Sequence, residues 1–167
     1  MVELKINPQS QAYFLQSLAY GYGDFFVATH YKDGRWSKWR SVLEIWESGN
    51  HYWLELANNR SPFDCELIID LDYKITPENL KELVLKLQEM DFYQIRTYFS
   101  GSKSYHIHII DPIFSDPDQS QKIKRIVLEW VGADLNFITN KHMIALENCP
   151  HWKTGRMKQT VNLFGQY

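Results

Sequence analysis

The stretch that most restricts the fold is CELIIDLDY, residues 65–73. Successive side chains of a β-strand point to opposite faces of the sheet, so its apolar and acidic residues separate onto two faces. Leu67, Ile69 and Leu71 pack on one face, whereas Glu66, Ile68, Asp70 and Asp72 line the other. A strand with these two faces predicts a sheet that is covered on its apolar side.

Helical spacing and strand alternation predict the other elements. Thr76 and Pro77 form a helix start, because threonine caps a helix and proline suits its first position. Further helices are predicted from Pro8 to about Gly21, over 41–48 and over 116–132, and strands over 24–32, 51–56, 94–99, 105–110 and 133–138. This order indicates an α/β or α+β layer structure.

Length and charge limit the possible classes of protein. A chain of 167 residues fits one domain, 1–167, which could be a piece of a longer protein. The net charge of −2 excludes the strongly basic composition of a protein that holds duplex DNA mainly by neutralising phosphates. Any contact with nucleic acid is therefore expected to be local or assisted by a metal.

The sequence predicts a cytoplasmic protein without a membrane partner. Cys65 and Cys149 lack the spacing of a zinc site or a disulfide framework, so reduced thiols are expected. The N-terminus has no signal-peptide pattern, and no apolar run approaches the roughly 20 residues of a membrane span.

The segment SGSKSYHIHI, residues 100–109, combines a flexible turn with the start of a strand. On that strand His106 and His108 share one face, while Tyr105, Ile107 and Ile109 share the other. The turn offers unobstructed backbone amides at Gly101 together with Lys103 and three serines, a set suited to phosphate oxygens. The same residues also suit an ordinary hairpin turn.

Three acids could bind divalent metal ions. Asp70 and Asp72 would repel each other on one strand face unless cations compensate, and Mg²⁺ or Mn²⁺ prefers such oxygen ligands. Asp134, after the last predicted helix, is the third candidate. The alternatives are a solvent-exposed strand end for the pair and a simple turn residue for Asp134.

The basic turn HWKTGR, residues 151–156, completes the pattern. Lys153 and Arg156 could neutralise a triphosphate, although such a turn is also typical of a solvated loop. Acids on one strand, a Ser/Gly/Lys/His turn, a further acid and then this turn together suit a metal-bound nucleoside triphosphate.

These motifs resemble those of the archaeo-eukaryotic primase (AEP) superfamily, which includes primase small subunits and primase-polymerases. ELIIDLD looks like its first motif, SGSKSYHIH like its second, and the segment 133–156 like its third region. The resemblance covers roughly residues 60 to 160. It implies an α+β primase-like catalytic core, with mixed or antiparallel sheets, an RRM-like half and flanking helices.

The resemblance also implies roles for individual residues. Asp70, Asp72 and Asp134 would be catalytic metal ligands. The phosphates of the incoming nucleotide would be bound by Ser100, Gly101, Lys103, His106, His151 and Lys153. His108 is either a further site residue or a hydrogen-bonded core histidine.

The implied activity is template-dependent nucleotidyl transfer with two Mg²⁺ or Mn²⁺ ions and no zinc. The implied partners are a single-stranded DNA template, a dNTP or NTP, and an accessory domain, helicase or large subunit. Ser104 replaces the family's usual glycine, and the stretch between the second and third motifs lacks the zinc module of primase small subunits. Extension of a primer could therefore survive where initiation does not.

Three alternatives differ in class. Replication-initiator nucleases also carry a His-x-His strand, but the only tyrosine after His108 is Tyr167. The polymerase domain of bacterial end-joining ligases has a similar second motif, although HWKTGR favours the primase side. A third alternative is a nucleotide- or single-strand-binding module that keeps the fold and lacks catalysis.

Overall fold

The structure is a computed structural model that describes residues 10–164. Its helices are α1 (Gln11–Tyr22), α2 (Val42–Glu47), α3 (Tyr52–Leu56), α4 (Pro77–Glu89) and α5 (Ser120–Val131). Its strands are β1 (Phe26–Ala28), β2 (Arg40–Ser41), β3 (Asn59–Arg60), β4 (Glu66–Leu71), β5 (Gln94–Phe99), β6 (Tyr105–Ile110), β7 (Ile144–Ala145) and β8 (Gln159–Thr160). Short 3-10 helices cover Pro112–Ser115 and Leu135–Ile138.

The strands form two antiparallel sheets, so the predicted α+β class is confirmed. The first sheet has the order β2-β1-β3-β7, and the second has the order β4-β6-β5-β8. In the second sheet β6 lies between β4 and β5, with Asp70 opposite His106 and Ile69 opposite Ile107. The first and second sequence motifs are therefore direct neighbours.

Helices α4 and α5 cover one face of the second sheet, as the strand pattern predicts. Leu67, Ile69 and Leu71 of β4 share a buried cluster with Ile107 and Ile109 of β6. The helices add Leu80, Val84, Leu87, Val127 and Leu128. The predicted start of α4 is also confirmed, because Thr76 Oγ1 accepts a hydrogen bond from the backbone N–H of Asn79.

A second buried cluster joins α1, α2 and α3 to the first sheet. Ser10 caps α1, and the predicted helix start at Pro8 lies outside the described residues. Ser41 caps α2, which ends before Gly49 as predicted. A turn at Asp33 and Gly34 lies in a hairpin that the His30–Trp36 bridge closes.

The prediction of a strand over residues 51–56 is wrong, because Tyr52–Leu56 form α3. Only Leu54 of this short apolar run is buried, so its pattern did not distinguish strand from helix. The tertiary structure favours the helix: the Gln11 side chain donates to the carbonyls of Leu54 and Ala57, both at 2.7 Å. These hydrogen bonds satisfy carbonyl groups at the end of α3.

The prediction of a strand over residues 133–138 is also wrong. Gly132 ends α5 in the left-handed conformation, and Asp134 then caps the 3-10 helix Leu135–Ile138. The Asp134 carboxylate accepts a hydrogen bond from the Asn136 backbone N–H at 2.9 Å. An aspartate that binds the backbone two residues ahead favours such a turn over a strand.

The remaining face of the second sheet carries His106, His108 and Asp70. Both histidines are buried, so this face is covered rather than open to solvent. Within residues 10–164, no helix is both long and apolar enough to span a membrane.

Candidate functional site

The centre of the candidate site is the cross-strand pair Asp70 and His106. Their register in the β4–β6 ladder places His106 Nε2 3.5 Å from Asp70 Oδ1. Among the described residues, neither Asp70 Oδ1 nor His106 Nδ1 has a hydrogen-bond partner, although both atoms are buried. Unsatisfied buried polar atoms are costly, and in a native protein they point to a bound ion, water or substrate.

The electrostatics of this pair favour a cation. Burial and then the charge of Asp72 raise the pKa of Asp70 to about 6, and the charge of Asp134 adds to this effect. Burial, followed by the charge of Lys158, holds the pKa of His106 well below its ordinary value. The site therefore combines a neutral imidazole with two carboxylates that repel each other, and a metal ion would relieve that repulsion.

The turn between β5 and β6 is organised by Ser100. Its hydroxyl accepts hydrogen bonds from the N–H groups of Ser102 and Ser104, both at 3.2 Å, and its own N–H donates to the Ser104 carbonyl. Ser100 is buried, and it lines the cavity beside Asp70. These hydrogen bonds give it a structural role in the turn whether or not it contacts phosphate.

The basic turn forms a closed loop around His151. The His151 N–H donates to the Arg156 carbonyl at 2.8 Å, and its Nδ1 accepts from the Lys153 N–H at 3.2 Å. With Nδ1 as an acceptor, the neutral ring carries its proton on Nε2. Burial, followed by the charges of His30 and Lys153, lowers the pKa of His151, so this neutral form is favoured.

The basic turn contacts the glycine turn directly. Thr154 Oγ1 donates to the Gly101 carbonyl at 2.6 Å. Gly101 has φ +86°, and a Cβ atom there would lie 2.5 Å from the Arg156 carbonyl oxygen. Glycine is thus required both by the backbone conformation and by the close approach of the two motifs.

We expect Gly101→Ala to lower the free energy of unfolding by about 1–3 kcal/mol, because it adds a backbone clash to positive-φ strain. Gly132→Ala is the matched control: Gly132 has φ +76° but has open space at its Cβ position. Urea unfolding of both variants measures the difference. Equal losses of unfolding free energy in the two variants would show that the clash with Arg156 adds no cost, because the glycine turn and the basic turn can move apart.

A cavity of about 310 Å³ collects most of the residues that the motifs predicted. Its walls include Asp70, Asp72, Ser100, Lys103, His106 and His151, and they also include Ser102 and Ser104. Residues from all three motif regions thus converge on one cavity.

Three predicted site residues do not line this cavity. Gly101 is buried against the basic turn, and the exposed Lys153 lies on that turn. Asp134 is exposed and accepts hydrogen bonds from Asn136, although its charge still raises the pKa of Asp70. Across residues 10–164, no group of three or more His, Cys, Asp or Glu side chains is arranged to hold a metal ion.

The two carboxylates at the cavity nevertheless suit Mg²⁺ or Mn²⁺. Mg²⁺ usually keeps several waters and is bound by one or two carboxylates together with substrate phosphates. Asp70 Oδ1 is a buried acceptor without a partner among the described residues, and Asp72 lines the same cavity. Lys103, on the turn between β5 and β6, and His151, on the basic turn, line the same cavity and could contact those phosphates.

An aromatic stack at the cavity was not predicted as a unit. The His30 ring lies between Trp36 and Trp152, with ring centroids 4.1 Å and 3.8 Å away. Asn58 fixes His30 through two hydrogen bonds with its backbone, of 2.7 Å and 2.9 Å. The stack joins the β1 hairpin to the basic turn, and no sequence spacing indicates such a long-range contact.

A buried network of charges lies behind the site. Arg60 donates to both oxygens of Glu66, at 2.7 Å and 2.9 Å, and to both oxygens of Glu147, at 3.1 Å and 2.8 Å. His108 lies 3.1 Å from Glu66 through Nδ1 and 3.2 Å from Lys158 Nζ through Nε2. His108 is therefore a hydrogen-bonded core histidine, the second of its two predicted alternatives.

The network also acts on the candidate site, because the charge of Lys158 lowers the pKa of both Asp70 and His106. Burial lowers the pKa of Lys158 to about 8, against the opposing charge of Glu147. Although burial opposes ionisation of Glu66, the Arg60 charge brings its pKa to about 2. Sequence analysis placed Glu66 on the correct face and gave no sign of Arg60, Glu147 or Lys158. Arg60 lies only six residues before Glu66 but on a strand of the other sheet, and Glu147 and Lys158 come from distant segments.

Comparison with known proteins shows similarity at the level of structure. No protein-family model and no curated protein sequence matches the chain. Among solved structures, the chain is similar to the AEP domain of the cyanophage S-2L primase-polymerase (PrimPol), with a TM-score of 0.53 and 14% sequence identity. The match covers 93% of this chain and 90% of that one. The chain therefore has an AEP-like fold.

Proposed function

We propose that the protein is a metal-dependent nucleotidyltransferase of the primase-polymerase type, which adds nucleotides to a 3′-hydroxyl or to an initiating nucleotide on a template. The observation that carries the proposal is the convergence of Asp70, Asp72, Lys103, His106 and His151 on one cavity. The AEP-like fold is the second support, because a primase-polymerase domain has a similar fold.

Each side chain has a role that follows from its environment. Asp70 and Asp72, with Asp134 as the proposed third ligand, would hold Mg²⁺ or Mn²⁺, whose charge would polarise the attacking hydroxyl and stabilise the leaving pyrophosphate. Lys103 and the His151 Nε2–H group would donate to the triphosphate, with Lys153 nearby. His106 stays neutral and can donate a hydrogen bond without adding charge next to Asp70.

A paired synthesis assay tests the proposal. Single-stranded template is supplied with and without an annealed primer, with labelled dNTPs or NTPs and Mg²⁺ or Mn²⁺. We expect metal-dependent extension of the primed template, and its loss in an Asp70→Ala/Asp72→Ala variant. Products without primer would show that this core also initiates. Absence of synthesis under every condition would favour a binding module without catalysis.

Lys103→Ala is expected to raise KM for the nucleotide about 10-fold with a smaller effect on kcat, because one ammonium contact with phosphate is lost. The exposed Lys122 on α5 lies outside the cavity, so Lys122→Ala is the control. Steady-state kinetics on primed template measure both variants. Equal KM values would contradict the assignment of Lys103 to the triphosphate.

A further inference from the structure

The segment 35–40, with the sequence RWSKWR, alternates basic residues with tryptophans. Residues 31–40 hold four of the chain's 18 Lys and Arg residues but one of its 20 Asp and Glu residues, in a chain of net charge −2. Trp36 and Trp39 are exposed by 46% and 42% of their surface. An exposed, basic and aromatic segment is therefore concentrated in one place.

The structure places this segment between two cavities. Trp36 lines the cavity of Asp70 and Asp72, whereas Lys38, Trp39 and Arg40 line a second cavity of about 440 Å³. Ser37 fixes the path between them: its N–H donates to the Thr29 carbonyl at 2.9 Å, and its Oγ accepts from the Thr29 N–H at 2.8 Å. The segment is thus a defined surface that begins at the candidate site.

The second cavity contains a cation with unused hydrogen-bonding capacity. The Arg40 guanidinium carbon lies 3.7 Å from the centre of the Trp53 ring, which holds the side chain in place. Arg40 Nη1 is buried and has no hydrogen-bond partner within the described part of the chain. A phosphate oxygen is a suitable acceptor for this group, because guanidinium–phosphate hydrogen bonds are charge-assisted.

We propose that residues 35–40 bind single-stranded nucleic acid, with Trp36 and Trp39 stacking on bases and Lys38 and Arg40 contacting phosphates. Single strands expose both the base faces and the charged backbone that such a surface recognises. In duplexes the base faces are already stacked. The inference rests on the proposed function for its biological meaning, since this surface would guide a template strand into the site.

The test is fluorescence anisotropy of a labelled oligothymidine strand in EDTA and without nucleotide. We expect Lys38→Ala/Trp39→Ala to weaken binding about 10-fold to 100-fold and to lower the slope of log affinity against log salt by about 1. The matched control is Lys86→Ala/Trp130→Ala, which removes an exposed lysine and a 45%-exposed tryptophan from a different cavity. The control is expected to bind like the unsubstituted protein.

The inference is overturned if the Lys38→Ala/Trp39→Ala variant binds like the control, or if the unsubstituted protein binds a hairpin duplex as tightly as the single strand. Circular dichroism of each variant excludes loss of folding. The assay needs neither metal nor catalysis, so strand binding that depends on Lys38 and Trp39 supports the inference even if no synthesis occurs. If synthesis occurs but strand binding does not depend on Lys38 and Trp39, the proposed function stands and only the proposed strand-binding surface is rejected.

Discussion

Asp70→Asn is expected to abolish metal-dependent synthesis and, at the same time, to make the metal-free protein more stable. Loss of the carboxylate removes a proposed metal ligand, and we expect a fall in rate of about 10²-fold to 10³-fold or more. In the absence of metal, however, this carboxylate is partly buried beside Asp72, and its buried atom Oδ1 has no hydrogen-bond partner among residues 10–164. A neutral amide relieves the repulsion.

The pH dependence of stability follows from the raised pKa. In the unfolded chain Asp70 loses its proton near its ordinary value of 3.8, whereas in the folded metal-free protein it does so at about 6. Between these values the folded state binds more protons, so its stability falls as pH rises. Above pH 6 the full penalty remains, on the order of 3 kcal/mol.

Thermal unfolding in EDTA at neutral pH tests this expectation. Asp70→Asn should raise Tm by about 6–12 °C, and the gain should shrink toward pH 4. Asp118→Asn, at an exposed position outside the cavity, is the control. Adding Mn²⁺ should raise Tm of the unsubstituted protein, because a metal ion that binds the folded state stabilises that state. Tm of Asp70→Asn should stay nearly unchanged, because this variant lacks a proposed metal ligand. An Asp70→Asn protein that is less stable in EDTA would contradict the proposed electrostatics.

The parts of the fold that could be predicted from the sequence are those with local, periodic causes. The alternation in β4, the cap at Thr76 and the faces of β6 each follow from side-chain direction and backbone chemistry over a few residues. The apolar run in α3 lacked such a cause, and its structure depends on the side chain of Gln11, more than 40 residues away. Local pattern alone could not reveal that contact.

The same distinction applies to the candidate site. The motifs predicted the cavity residues Asp70, Lys103 and His106. These residues lie on the paired strands β4 and β6 and on the turn between β5 and β6. Asp134 and Lys153 do not line the cavity, and the roles of all these residues stay predictions. The roles of Trp36 and of the buried charges depend on contacts between distant segments, which spacing does not report.

Arg60→Met is expected to lower the free energy of unfolding by about 3–5 kcal/mol, the largest stability effect that we expect from one substitution. It keeps an apolar stem and removes the cation shared by Glu66 and Glu147, which leaves two buried carboxylates undercompensated. Arg125→Met is the control, because the ion pair that Arg125 makes with Glu129 on α5 is exposed. Urea unfolding measures both variants.

A double-mutant cycle separates a lost ion pair from a lost side chain. Arg60→Met/Glu66→Gln removes one carboxylate together with the cation, so its destabilisation should be smaller than the sum of the two single effects. Additive effects would show that Arg60 acts through packing, for example on Phe63, whose ring centre lies 4.2 Å from its guanidinium carbon.

The position of Arg60 gives this network a consequence for the site. Arg60 belongs to β3 in the first sheet, whereas Glu66 and His108 belong to β4 and β6 in the second. The candidate cavity is lined by residues of both sheets, with Asn59 and Ala145 from the first and Asp70 and His106 from the second. The network therefore holds together the two walls of the cavity.

Under conditions where Arg60→Met is still folded, synthesis should fall more than strand binding, because strand binding needs only the segment 35–40.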